Sequence, residues 1–182
     1  MNQIINEKIK SKINEDLSPT KNLTGLHLKI VAAIAIIWSL FQLWYASPFP
    51  FIFNFGMFKG LPARAIHLGF ALTLAFLIYP ISKGKKISIF DILISFIGAF
   101  SCFYIYFFYD QLVDRGGVLL SIVIGDSFKL PVELIIGGLG ILILLEATRR
   151  AIGLPLVIIA IFFLLFSYFG KYAPDIISHG GL

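Results

Sequence analysis

From Leu134 to Leu145 the chain carries only apolar side chains or glycine. A helix made of such a run has no polar face to turn toward water, so protein or lipid must surround it. The flanks define its ends. Pro131 suits a first helical turn, where a missing N–H leaves no hydrogen bond unmade. Glu133 in that turn meets the positive end of the helix dipole, and Gly153 and Pro155 stop this helix and start the next. Counting from Pro131 to Thr148 at about 1.5 Å per residue gives roughly 27 Å, close to the thickness of a bilayer's hydrocarbon core. This segment is expected to span a membrane.

Composition extends that expectation to the whole chain. The 182 residues are 58% hydrophobic and 14% charged, whereas soluble domains sit near about 45–50% and 25%. The net charge of +5 does not point to nucleic acid, because the cations lie beside apolar segments, where the positive-inside rule accounts for them. One cysteine, Cys102, excludes an intrachain disulfide and a thiolate metal site, and its apolar surroundings suit an inert buried thiol. His27, His67 and His179 lack metal-ligand spacing. No phosphate-binding glycine loop, nucleophile elbow or paired catalytic carboxylates are found, so no enzymatic activity is expected and no cofactor is implied.

The expected fold is an all-α integral membrane bundle of about five transmembrane helices, with residues 1–27 as a polar tail and 28–182 as the membrane domain. In the tail, Ile5, Ile9 and Ile13 recur at four-residue spacing among lysines. That pattern fits either a short amphipathic helix on an anionic surface or a solvated tail. The spans are placed at about 30–46, 63–81, 91–109, 131–148 and 154–170. After the first span, Phe49, Phe51, Phe53 and Phe55 alternate between prolines. Alternation suggests an extended segment, but Pro48 and Pro50 argue against a stable strand. The segment reads as an aromatic loop at the headgroups or as a contact surface for a partner. Ser88 and Asp91 form an N-cap and an acidic third position for the third span. Gly117–Gly125 is too short to cross a bilayer and is expected at the interface or against the bundle.

Lysines and arginines cluster on alternate connections: Lys8, Lys10, Lys12, Lys21 and Lys29, then Lys83, Lys85 and Lys86, then Arg149 and Arg150. This bias puts the N-terminus in the cytoplasm and the C-terminus outside. Within the spans no Asp, Glu, Lys or Arg falls near a midpoint. Ion and proton routes generally need such groups, despite roughly 2.5–3.5 kcal/mol each on insertion scales. Gly137, Gly138 and Gly140 would permit close helix approach. Arg64 and His67 share a face near the entry of the second span, where both could reach the interface. Glu146 lies three and four positions before Arg149 and Arg150, so one carboxylate can face both. That trio reads either as an ordinary cytoplasmic anchor or as a docking point for another subunit.

Together, RAIHLGFALTLAFLIYP, an Arg-Gly loop with Asp126, LLEATRRAIGLPL and FSYFGKYAPDIISHGG resemble the fused permeases of TRAP (tripartite ATP-independent periplasmic) transporters. The likeness is to the N-terminal, small-subunit-like portion of the kind that serves TAXI-type binding proteins, and it covers residues 28 to 181. It implies a scaffold in the inner (plasma) membrane of a bacterium or archaeon. That scaffold braces a large TRAP membrane domain, fused or separate, which receives an organic acid or similar solute from a periplasmic binding protein. Sodium coupling is expected in that large domain, not in this chain. Arg64, His67, Glu146, Arg149 and Arg150 are the positions that match the family pattern. The substrate- and sodium-binding region would lie after Leu182, so the chain is expected to be an incomplete permease or to have a separately encoded partner. A small membrane subunit of another three-part carrier, such as a tripartite tricarboxylate transporter, is the alternative, and it would place both termini on one side.

Overall fold

The computed structural model describes residues 25–81, 87–116, 118–124, 128–172, 174 and 177–178, with isolated positions in the N-terminal tail. The tail's proposed isoleucine stripe therefore falls largely outside the described residues. The elements in order are α1 (Gly25–Ala46), α2 (Phe49–Phe53), α3 (Gly60–Ile78), α4 (Ile89–Asp114), β1 (Ile122–Ile124), β2 (Phe128–Leu130), α5 (Val132–Ala151) and α6 (Leu154–Phe169). A 3-10 turn, Gly170–Tyr172, follows α6.

The described residues are mostly helical, and among them four segments are long and apolar enough to cross a membrane: Gly25–Ala46, Gly60–Ile78, Ile89–Asp114 and Leu154–Tyr172. The expected fourth span is a helix too, α5, but it differs from the others. Its first turn holds Glu133, and its last turns hold Glu146, Arg149 and Arg150. Those side chains keep it from matching the apolarity of its neighbours, so four helices rather than five meet that standard.

Local chemistry sets the start of α4 and the break between α5 and α6 as the spacing suggested, whereas α1 and α3 begin earlier than expected, at Gly25 and Gly60, and α4 runs on to Asp114. Ser88 caps α4: its Oγ accepts from the Phe90 N–H at 3.2 Å, while the Ser88 N–H donates to Asp91 Oδ2 at 3.4 Å. Between α5 and α6, Gly153 sits at φ +113°, a conformation only glycine adopts without strain. The aromatic segment is not extended. Pro48 and Pro50 start a single helical turn, α2, which Asn54 ends in the left-handed region at φ 53°. The alternating phenylalanines therefore wind around Trp44, which rings Phe49, Phe53 and Phe55 at 6.3–6.4 Å between centroids. The segment after α4 is partly strand: β1 pairs antiparallel with β2, Ile122 opposite Leu130.

Helix α3 occupies the centre. Leu72 and Phe76, one turn apart, face α4 and α5 and join Cys102, Ile143 and Ala147 in one buried cluster. Leu74 and Leu77 face the other way and bury Val31 of α1, with Trp38 packed beside them. Cys102 is buried there, as its position in an apolar run suggested. The α4–α5 contact is close because small residues line it. A Cβ on Gly98 would lie 2.9 Å from Ile143 Cγ2, and one on Gly140 would lie 3.4 Å from Ser101 Cβ. Gly137 and Gly138 face open space instead. Most of the remaining apolar surface points outward, including Phe162 at 65% and Ile158 at 64% exposure on α6. In a bilayer that surface meets acyl chains.

Candidate functional site

The polar side chains gather at the two ends of the antiparallel pair α4–α5. At one end Asp91, from the first turn of α4, is wholly buried, and its Oδ1 accepts from Arg150 Nη1 at 2.6 Å. Arg150 comes from the last turn of α5, and its side chain is only 6% exposed. Glu146 completes the group by taking Arg150 Nε at 2.7 Å and holding Arg149 through two bonds of 2.7 and 2.8 Å. The Arg150 guanidinium also lies 4.9 Å from the centroid of the Phe76 ring, which desolvates it against a π face. Asp91 further accepts from the Ile81 N–H at 3.3 and 3.4 Å, drawing in the chain that leaves α3. His27 Nε2 lies 2.9 Å from the Leu77 carbonyl oxygen, which ties the start of α1 to the same end.

At the opposite end Glu133, 3% exposed in its side chain, accepts from Arg115 at 2.5 and 3.2 Å, from the Tyr104 hydroxyl at 3.0 Å and from the Leu120 N–H at 2.7 Å. One carboxylate thus fastens the start of α5 to the end of α4 and to the loop between them. Beside it an apolar groove of about 250 Å³ opens between the helices, lined by Leu68, Ile105, Leu112, Ile136 and Leu144. Nearer the surface, Lys59 pairs with Asp110, both largely exposed. The Asp110 hydrogen bond raises the pKa of Lys59 above its ordinary value.

The sequence-derived candidates are distributed over these ends. Glu146, Arg149 and Arg150 come together as the i, i+3 and i, i+4 spacing required. The spacing did not reveal that Arg150 reaches across to Asp91, which had a sufficient local role as a cap. Arg115 and Glu133 were likewise readable only as a loop cation and a dipole partner. Both acids sit in first turns, and both partners sit at the far ends of neighbouring helices. That coincidence was the available signal. Arg64 and His67 lie at the other end from Arg150, on the exposed surface of α3. His67 Nδ1 accepts from Trp38 Nε1 at 3.3 Å and lies 3.2 Å from Gln42 Nε2, while Arg64 has no ion-pair partner among the described residues.

Among the described residues no three His, Cys, Asp or Glu side chains converge as a metal site would require. Helices this apolar, joined by ion pairs at their ends and bare of polar groups over most of their outer surface, define a helical multi-pass membrane protein. No protein family, curated protein or solved structure matches the chain.

Proposed function

We propose that this chain is a scaffold module of a TRAP-type secondary transporter permease. It would take part in uptake of organic acids or similar solutes while bracing the domain that carries them. The observation that supports this most is where the charge sits. The clusters around Asp91–Arg150 and Glu133–Arg115 tie both ends of α4 to α5, and the packing between them carries no buried charge. Buried pairs of this kind add little net stability but fix register and orientation. A brace needs a fixed register, and it needs no charge-lined route through its middle.

The same geometry carries the proposed topology. Helix α5 lies antiparallel to α4 with an ion pair at each end, so a bilayer crossed by α4 is crossed by α5 as well. Five crossings would put the termini on opposite sides, and the lysine and arginine bias supports an N-terminus in the cytoplasm and a C-terminus outside the inner membrane of a bacterium or archaeon. The end that gathers His27, Asp91, Arg149 and Arg150 is the cytoplasmic one.

Two measurements test the proposal. Single cysteines placed in the N-terminal tail and beyond Lys171, in a Cys102→Ala background, are expected to label from opposite sides of the membrane; labelling from one side refutes the topology. The chain reconstituted alone is expected to show no sodium-driven uptake with a TAXI-type binding protein, and to restore uptake when a large membrane domain is supplied. Robust uptake by the chain alone refutes the scaffold assignment.

A further inference from the structure

Helix α3 spans 19 residues, about 28 Å, so Arg64 lies about 6 Å and His67 about 10 Å along it from Gly60. With the start of α3 taken as the edge of a hydrocarbon core of about 30 Å, His67 is roughly a third of the way through it. Both side chains lie on the outer surface of the bundle. Ionisable groups at such depth almost always face a protein interior or a partner, because lipid tails offer them no acceptor. Arginine can extend its head toward the interface, but a histidine side chain is too short to do so from that depth.

The hydrogen bonds around His67 determine what it presents. Trp38 Nε1 can only donate, so His67 Nδ1 must be the acceptor, and the neutral ring carries its proton on Nε2. With Nδ1 held against α1, the Nε2–H is left for a group outside the bundle. One turn away Arg64 offers its guanidinium with no carboxylate of its own. The face thus presents one cation and one further donor, and the donor lies at a depth where the lipid tails offer it no acceptor.

We propose that Arg64 and His67 form a docking point for a transmembrane helix outside these 182 residues, one that presents an aspartate or glutamate toward α3. The required chemistry is a carboxylate that takes a charge-assisted bond from Arg64 and a hydrogen bond from His67 Nε2. A second copy of this chain offers few free carboxylates among its described helices, and its capture at Leu61 would overturn the proposal. Among its described helices Asp91, Asp110, Glu133 and Glu146 are already ion-paired, and Asp114 sits at the last position of α4. The inference deepens the scaffold reading by assigning the face through which the brace meets its partner.

The test uses a benzophenone side chain at Leu61, which is exposed at 54% and one turn before Arg64, in the full chain in its native membrane. A second probe at Phe162 on α6 serves as the comparison face. Irradiation is expected to join Leu61 to a polypeptide whose cross-linked helix carries an Asp or Glu at the contact. Arg64→Glu and Arg64→Gln are each expected to cut that product by about tenfold or more, as loss of one partner in a desolvated charge pair does. Changing the partner's carboxylate to Lys is expected to restore it for Arg64→Glu. Cross-linking to lipid alone, capture of a helix without a carboxylate at the contact, or unchanged yield in both Arg64 variants overturns the docking point. Uptake by the isolated chain would refute the scaffold whatever Leu61 captures, so the two failures are distinguishable.

Discussion

Replacing Asp91 by Asn tests how the cytoplasmic cluster works. The carboxylate is wholly buried and its partner Arg150 is 6% exposed, so water cannot compensate for the lost charge. Removing one member of a buried pair costs about 3–5 kcal/mol, because the other charge is left stranded. Here Glu146 still holds Arg150 Nε, and the Asn oxygen can still accept from Ile81 and Ser88. The loss is therefore expected at the lower bound, about 3 kcal/mol, or more than a hundredfold in the folding equilibrium. Glu146→Ala is the milder change, since Arg150 keeps Asp91 and Arg149 is 45% exposed. The assay is reversible unfolding in mixed micelles, followed by the fluorescence of Trp38 and Trp44. A double variant, Asp91→Leu with Arg150→Met, is expected to recover most of the stability that either single change loses, because no stranded charge then remains buried at this end. A cycle of these variants with coupling near zero, or an Asp91→Asn protein within about 1 kcal/mol of the parent, would refute the reasoning.

Gly98→Ala places a methyl 2.9 Å from Ile143 Cγ2, so it is expected to cost about 1–3 kcal/mol by overpacking. In the same unfolding assay Ile143→Ala should relieve part of that penalty, whereas Gly138→Ala, which meets open space, should not destabilise. Glu133→Gln loses the charge that holds Arg115 and weakens the grip on the Leu120 N–H. Proteolytic cleavage between Val118 and Ser121 is expected to rise about tenfold, the scale of one lost charge-assisted hydrogen bond; an unchanged rate would mean that the loop is held otherwise.

Most of the helical fold was legible in the chain because it follows from local rules. The apolar runs set five long helices, four of which are apolar enough to count as spans, Ser88 and Asp91 set a cap, and Gly153 with Pro155 set the break between α5 and α6. The aromatic segment was harder to read. Alternation of phenylalanines mimics a strand, and only the prolines at the start of a turn resolve it toward helix. Within the candidate site, the Glu146–Arg149–Arg150 trio was legible because its members share one helix face. The partners Asp91 and Arg115 were not, because a side chain's role in its own helix says nothing about which helix end lies opposite.

The amino-acid order alone thus pointed to a helical membrane protein and to roughly where its long helices fall. Those outcomes depend on hydropathy, dipoles and backbone preferences acting over a few residues. Only the tertiary structure decided that α3 is the central helix, that α4 and α5 are joined by buried ion pairs at both ends, and that His67 Nδ1 is held by Trp38 of α1. Each of these depends on two segments far apart in the chain meeting at the same depth. Packing fixes that depth, and no spacing within a single helix encodes it.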